Sequence, residues 1–112
     1  MESKRQQKVA KQIQKDLGEI FQLEAKNKFK GALITVTKVN VTRDLASAKV
    51  NLSLFGFEDN EALLKLIRDN SKDIRHELGR RIRHQMRIVP NLLFYIDDSL
   101  DYIENIENLL NE

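Results

Sequence analysis

A row of arginines marks the stretch between residues 60 and 90. At 100° per residue, three of them fall together on one face of a predicted helix: Arg80, Arg83 and Arg87. Glu77, at the edge of that face, is the nearby acid that can relieve their mutual repulsion. Guanidinium groups of one sign, in register over two turns, suit an anion with planar oxygens such as a phosphate backbone. The alternative is a solvated helix face without a partner.

The same stretch offers little for metal binding or catalysis. His76 and His84 are separated by two helical turns, roughly 12 Å, which is too far to share a metal ion. The chain has no cysteine, which excludes disulfides and thiolate ligands, and it has no Walker loop, GxGxxG or HExxH motif. We therefore expect no metal, no cofactor, no small-molecule substrate and no catalysis, although a triad formed in space would not be visible in a sequence.

A second basic row lies near the N-terminus. Ser3 can cap a first helix that is predicted to reach about Ala25. Its apolar stripe consists of Val9, Ile13, Leu17, Ile20 and Phe21. Four lysines cluster within about 60° of one another, facing away from that stripe: Lys4, Lys8, Lys11 and Lys15. Gly18, inside this helix, has no explanation other than the close approach of a neighbour.

The arginine-bearing stretch is too long for one straight helix in a compact domain. Unbroken from Glu61 to Met86 it would span roughly 39 Å, against a radius of gyration of about 13 Å for a domain of this size. Two helices are therefore predicted to meet at a kink formed by Asn70, Ser71 and Lys72. Asp73 follows Asn70 at the spacing of a capping box. One straight helix with a polar middle is the alternative.

Two strands are predicted to precede the kinked helices as an antiparallel hairpin. The first, from Ile34 to Thr42, is rich in β-branched residues, and its alternation slips between Val36 and Val39, which indicates a bulge. The turn runs from Arg43 to Ser47, and the strand that starts at Ala48 then alternates cleanly.

A third strand, from Asn91 to Ile96, follows the only proline. Its Phe94 and Tyr95 could stack on nucleic-acid bases, but alternating aromatics in a strand are more typical of a core. Asp98 or Ser99 can cap a final helix. Its apolar positions are Leu100, Ile103, Ile106 and Leu110. The order helix–strand–strand–helix–helix–strand–helix predicts an α+β fold in a single domain, residues 1–112.

The net charge of +2 hides an uneven distribution. From Asp97 onward there are six acidic residues and no basic one, whereas the preceding residues carry 19 basic and 11 acidic side chains, a net charge of +8. A basic body indicates a polyanionic partner, and the acidic stretch could shield it. No apolar run approaches the ~20 residues that span a bilayer, and no signal peptide is visible. We expect a monomeric cytoplasmic protein without a membrane partner.

Three blocks of the sequence resemble the ribosome-binding factor A family, bacterial assembly factors for the small ribosomal subunit. The first, Arg5 to Leu17, reads R-x-x-K-V-A-x-x-I-x-x-x-L. The second, Thr35 to Ser53, reads TVTKVNVTRDLASAKVNLS, with a distinctive Thr-Arg-Asp-Leu turn. The third, Leu78 to Leu100, contains the spacings LG, RIVP-x-L-x-F and D-x-S-L. The three blocks occur in the family's order and cover nearly the whole chain.

The resemblance implies a KH-like fold of the second type, helix–strand–strand–helix–kink–helix–strand, here with an added C-terminal helix. It also implies binding to the free small subunit and its ribosomal RNA, a non-catalytic role in late maturation and processing of that RNA, and importance in the cold.

Family members characteristically kink the helix pair at Ala-x-Gly, whereas this chain has Asn70-Ser71-Lys72. Asn can adopt the left-handed conformation that glycine supplies, so the bend can be kept. Many members carry a basic C-terminal tail. This chain has an acidic stretch there, so no tail-dependent function is carried over.

These observations lead to the hypothesis of a clamp that engages ribosomal RNA phosphates by shape and charge without reading bases. The RNA-binding residues are predicted to be Lys4, Lys8, Lys11, Lys15, Arg43, Lys72, Arg80, Arg83 and Arg87. A basic KH-like adaptor that binds a protein partner or another RNA is the alternative.

Overall fold

The computed structural model describes residues 3–56, 59–86 and 88–97, which form helices packed on one side of a small sheet. The elements are α1 (Lys4–Lys28), β1 (Leu33–Val41), β2 (Ser47–Phe55), α2 (Asn60–Asp69), α3 (Ser71–Ile82) and β3 (Asn91–Ile96). This confirms the predicted α+β order as far as Ile96. The final helix predicted after Asp97 lies outside the described residues.

Helix α1 begins at the cap that the sequence predicts. The Ser3 hydroxyl accepts a hydrogen bond from the Gln6 backbone N–H at 3.1 Å, and the Gln6 side-chain oxygen accepts from the Ser3 N–H at 3.0 Å. The helix ends at Lys28, three residues later than predicted. There Gly31, with φ of 78°, donates its N–H to the Ala25 carbonyl at 2.7 Å and reverses the chain.

The sheet has the strand order β1-β2-β3. Strands β1 and β2 pair antiparallel, and their register shifts between Val36 and Lys38, which confirms the predicted bulge. Strand β3 pairs parallel to β2, because the two helices between them carry the chain back to the start of the sheet. The bounds of β3, Asn91–Ile96, are those that the sequence predicts.

The core lies between the helices and one face of the sheet. Phe21 of α1 contacts Phe29 and Phe94, with ring centroids 5.8 Å and 6.0 Å apart. Phe94 is therefore a core residue, and Tyr95 points to the other face. The alternating strand residues Ile34, Val36, Val39, Val41, Ala48, Val50, Leu52 and Leu54 complete the sheet's share of the core.

The kink lies at Asn70, as predicted, but its chemistry differs from the prediction. The Asn70 side-chain amide donates to the Leu66 carbonyl at 2.8 Å and makes no cap for α3. The capping box with Asp73 is therefore wrong, because the Asn70 side chain is used to satisfy the end of α2. The left-handed conformation is also wrong, since Asn70 has φ of −97° and ψ of 8°.

Two other local expectations are corrected. Helix α3 ends at Ile82 instead of Met86, and it is followed by a turn in which the N–H groups of Gln85 and Met86 both bond to the Ile82 carbonyl. A Cβ placed on Gly18 would meet no atom of the described residues within 4 Å, so none of these residues approaches it closely.

Candidate nucleic-acid interface

An open groove of about 740 Å³ runs along the exposed side of α3. Helix α3 forms one wall, and the extended segment that precedes β3 forms the other. Its lining residues are Lys72, Asp73, Arg75, His76, Gly79, Arg80, Arg83, Ile88 and Val89. Lys72, Arg80 and Arg83, which the sequence predicts as RNA-binding residues, are thus brought to one concave surface.

A glycine sets the spacing between the two walls. A Cβ on Gly79 would lie 3.2 Å from Cγ2 of Val89, which is tighter than ordinary van der Waals contact. Without that carbon the segment can lie close against the helix. Close approach, which the sequence suggested for Gly18, is instead required at Gly79.

Arg75 fastens the second wall and is a residue that sequence reasoning missed. Its Nε donates to the Pro90 carbonyl at 3.1 Å, and Nη2 donates to the Val89 carbonyl at 2.6 Å. These bonds hold the segment beside α3. The arginine is visible in the sequence, but its partners are backbone groups that lie 14 and 15 positions later, and no local pattern connects them.

The cationic groups that line the groove are exposed to solvent. Arg80 forms an exposed ion pair with Glu77 at 3.4 Å, as the sequence suggested, and such pairs bind weakly and remain available to a competing anion. The Asp73 carboxylate is partly balanced by Lys28 of α1 at 3.9 Å. Among the described residues, no carboxylate lies within ion-pair distance of Lys72 or Arg83. The groove therefore presents a positive surface.

Arg81, the neighbour of Arg80, faces the opposite side of α3 and is tied to α1. Its Nη1 lies 2.6 Å from the Glu19 carboxylate and 3.9 Å from that of the buried Asp16. Asp16 also accepts a hydrogen bond from the side chain of Gln12 at 2.8 Å. Arg81 therefore joins two helices and is not available to a ligand.

A second concavity of about 550 Å³ adjoins the groove, because the exposed Ile88 lines both. Arg43, the predicted contact at the tip of the hairpin, lies here together with Arg5, which was not predicted as a binding residue. The turn that holds Arg43 is braced by Asp44. Hydrogen bonds from the Thr42 hydroxyl and from the Ala46 N–H hold the pKa of Asp44 below its usual value.

The lysine row of α1 forms a separate surface. Lys4, Lys8, Lys11 and Lys15 are exposed, and none of them lines either concavity. The acidic pair Asp16 and Glu19, which binds Arg81, lies between this row and α3. The four lysines thus line neither of the concavities that hold the predicted arginines. Of the remaining predicted residues, Asn70 and Ser71 shape the kink without lining the groove, and Arg87 lies outside the described residues.

Other kinds of site find no support in residues 3–56, 59–86 and 88–97. No group of three or more His, Asp or Glu side chains there could hold a metal ion. No helix in this part of the chain has the length and hydropathy needed to cross a membrane.

Comparisons with known proteins agree on one family. The model of the ribosome-binding factor A family matches residues 5–110. Ribosome-binding factor A of Flavobacterium psychrophilum is 51% identical over 111 residues, which cover 98% of this chain and 85% of the relative. That of Cytophaga hutchinsonii is 43% identical over 112 residues, 100% of this chain and 84% of the relative.

Solved structures give the same result for the fold. The crystal structure of ribosome-binding factor A from Thermus thermophilus aligns with a TM-score of 0.68 at 23% identity, covering 81% of this chain and 94% of that one. A homology model of the Thermus thermophilus factor, fitted into a cryo-EM map of its complex with the 30S subunit, aligns with a TM-score of 0.60 at 28% identity. This match covers 76% of this chain and 87% of that one. The KH-like fold is thus confirmed.

Proposed function

The chain belongs to the ribosome-binding factor A family, and from that premise we propose that it binds the free small ribosomal subunit and its RNA as an assembly factor. It assists late maturation and processing of small-subunit RNA in the cytoplasm, it acts as a single domain, and it performs no catalysis. The similar Thermus thermophilus factor, fitted into the map of a 30S complex, supports this proposal.

The groove beside α3 is the observation that carries the proposal. Arg80 and Arg83 can each present a planar fork of N–H donors to phosphate oxygens, and Lys72 adds a point charge at the end of the same groove. The close contact of Val89 with Gly79 holds the second wall of the groove against the helix. Such contacts position a protein on RNA by shape and phosphate spacing, without reading bases.

The remaining basic residues extend this contact surface. Arg43 and Arg5 continue it past Ile88, and Arg87 remains a predicted contact next to it. The row Lys4, Lys8, Lys11 and Lys15 forms a second surface on α1 that can reach a different segment of ribosomal RNA.

Charge reversal in the groove tests the proposal. We expect Arg80→Glu/Arg83→Glu to weaken binding to the free small subunit by about 100-fold at moderate salt, since two phosphate contacts are lost and two repulsions are added. The slope of log K against log salt should fall by about 2. Co-sedimentation with free small subunits and with intact ribosomes, at several salt concentrations, measures both quantities.

The matched control is Lys26→Glu/Lys65→Glu, which makes the same change in net charge at exposed positions outside the groove. Equal weakening by the two double variants would contradict the groove as the binding surface. Salt-dependent binding of the wild-type protein to naked ribosomal RNA would support direct RNA contact, whereas binding only to a protein component would favour the adaptor alternative.

A further inference from the structure

A separate groove of about 610 Å³ runs between α1 and the outer edge of β1, an edge strand of the sheet. Residues of α1 between 14 and 25 line one side of this edge groove, and residues 31–36 line the other. Its volume falls within the range of about 300–1,000 Å³ that is usual for binding sites. It shares no lining residue with the groove beside α3 or with the concavity that holds Arg43.

The backbone of β1 directs hydrogen-bonding groups into the edge groove. In β2, the Leu52 carbonyl accepts from the Asp97 N–H, so every second residue of β2 bonds toward β3 and the residues between them bond toward β1. The β1 partners of those intervening residues include Thr35. The residues on either side of it, Ile34 and Val36, therefore direct their N–H and C=O groups away from β2 and outward.

Two glutamines of α1 close the rest of this edge. The side-chain amide of Gln14 donates to the Val36 carbonyl at 3.1 Å, and that of Gln6 donates to the Val41 carbonyl at 2.8 Å. Covering the carbonyls of an edge strand prevents another strand from pairing there. Among the described residues, no side chain bonds to the backbone of Ile34. The edge therefore stays open from Ile34 to the N–H of Val36.

Gly18 leaves space on the helix side of the edge groove. It lines the groove, and a Cβ placed on it would meet no atom of the described residues within 4 Å. A glycine inside a helix costs about 1 kcal/mol relative to alanine, and no contact within the described part of the chain accounts for that cost. The missing side chain lets an external main chain approach the helix closely.

The charges at one end of the edge groove are positive. Lys15 lines the groove, and Lys11 lies one turn earlier on the same side of α1. Both side chains are exposed, and among the described residues no carboxylate lies within ion-pair distance of either. Glu19, the acid in the groove lining, is bonded to Arg81 at 2.6 Å. At the other end, the exposed Leu33 offers an apolar contact.

We propose that the edge groove binds an extended, acidic segment of a partner protein, which adds a fourth strand antiparallel to β1. One residue of the segment exchanges two backbone hydrogen bonds with Ile34, and its small apolar side chains pack beside Gly18. Because α1 runs antiparallel to β1, the lysines lie near the Val36 end, where an antiparallel strand enters. Carboxylates near the N-terminus of the segment therefore face Lys11 and Lys15.

The proposal goes beyond RNA binding and does not depend on the groove beside α3. A second copy of this chain fits the edge groove less well, because it would bring its own lysine row beside the first. A main chain suits the site better than a nucleic acid, because Ile34 offers both a donor and an acceptor at the spacing of a strand.

A blocked synthetic peptide, Asp-Asp-Val-Thr-Val-Thr, tests the pairing with isotope-labelled full-length protein. Amide hydrogen exchange at Ile34 and Val36 should slow by about 10-fold when the peptide is present at about ten times its Kd. The Thr35 amide, which already bonds to β2, is the internal control and should change by less than about 2-fold. Unaltered exchange at Ile34 and Val36 with about 1 mM peptide would overturn the proposal.

N-methylated peptides separate strand pairing from nonspecific contact. In an antiparallel pair, the residue opposite Ile34 points its side chain to the same face, so the valines of the peptide supply the paired N–H groups. The peptide methylated at the valine nitrogens should lose the effect, and the peptide methylated at the threonine nitrogens should keep it. Equal behaviour of the two would overturn the proposal.

Substitutions test the groove and its charge. Gly18→Leu should weaken peptide binding by at least about 10-fold, because its side chain fills the groove, whereas Gly18→Ala, the matched control, should weaken it less. Urea denaturation checks that both variants fold. Lys11→Glu/Lys15→Glu should reverse the preference, so that Lys-Lys-Val-Thr-Val-Thr binds better than the acidic peptide. An unchanged preference would overturn the acidic assignment.

The same exchange measurement excludes the other occupants. Slower exchange at Ile34 and Val36 on addition of a single-stranded RNA oligomer would assign the edge groove to RNA. Slower exchange on concentrating the protein alone would assign it to a second copy. Either result would overturn the proposal, which expects both amides to respond to the acidic peptide only.

Discussion

Arginines lie on both long sides of α3, but their ion-pair partners differ between the two sides. On the side that faces α1, Arg81 is partly buried and bonded to Glu19, with Asp16 close by. On the side that faces the groove, Arg80 has only an exposed partner, and no carboxylate lies within ion-pair distance of Arg83 among the described residues. One side uses arginine to join helices, and the other leaves arginine available to an external anion.

The difference shows that the location of the partner, more than the residue type, decides what an arginine does. Like Arg81, Arg75 and Arg68 have partners within the fold. The guanidinium group of Arg75 donates to the carbonyls of Val89 and Pro90, and that of Arg68 donates to the carbonyl of Phe94. Such arginines order segments of the fold. The arginines left over define the candidate binding surface.

The largest effect on stability is expected at the paired side. Arg81→Met should lower the free energy of unfolding by about 1–3 kcal/mol, because it leaves the buried Asp16 without a nearby cation. Urea denaturation measures this change, with Arg80→Met as the matched control, for which we expect a change within about 0.5 kcal/mol. Binding of folded Arg81→Met to the small subunit should be nearly unchanged. Equal losses of stability in the two variants would remove the distinction between the two sides.

The two helix glycines, Gly18 and Gly79, differ in how closely other residues pack against them. Gly18→Ala should stabilise the protein by about 0.5–1 kcal/mol, since its new Cβ meets no atom of the described residues within 4 Å and alanine is the better helix former. Gly79→Ala should gain less or lose stability, because its Cβ would press on Val89 at 3.2 Å. Thermal or urea unfolding of both variants makes the comparison. The same gain at both positions would show that Val89 moves away from residue 79 without cost.

A smaller effect is expected from Glu77, the exposed ion-pair partner of Arg80. Glu77→Gln removes the exposed partner of Arg80 and should strengthen binding to the free small subunit by about 2-fold, with a steeper salt dependence. The free energy of unfolding should change by less than about 0.5 kcal/mol. Co-sedimentation over a salt series measures the binding, and Glu61→Gln, an exposed acid outside the groove, is the control. Weaker binding would show that Glu77 positions Arg80 instead of competing for it.

The smallest effect concerns the hairpin that holds Arg43. The folded pKa of Asp44 lies below its unfolded value of 3.8, so its ionised form stabilises the turn above that pH. The contribution is lost as the pH falls through the folded pKa. Asp44→Asn should flatten this part of the dependence of unfolding free energy on pH and leave the rest unchanged, as urea denaturation at several pH values can show. A profile that the substitution leaves unaltered in the acid range would contradict a stabilising role for the carboxylate.

Much of the fold was determined by the sequence, because its signals are local. The cap at Ser3, the bulge after Val36, the kink at Asn70 and the bounds of β3 each depend on side-chain periodicity or on groups a few residues apart. The type of kink and the end of α3 were not predicted correctly, since competing hydrogen bonds of similar strength decide them. The Asn70 amide could have capped α3 but bonds to Leu66 instead.

The candidate binding surface could be predicted only in part from the sequence. The sequence alone indicated a basic face with Arg80 and Arg83, since charge and helical period suffice for that. It could not show that Arg75 builds the groove wall, or that the lysine row of α1 lines neither concavity. Those properties depend on partners distant in the chain: 14 and 15 positions for Arg75, and 62 between Arg81 and Glu19. Only the packing of α3 between α1 and the segment before β3 brings such groups together, and so only the tertiary structure decides which cations remain free.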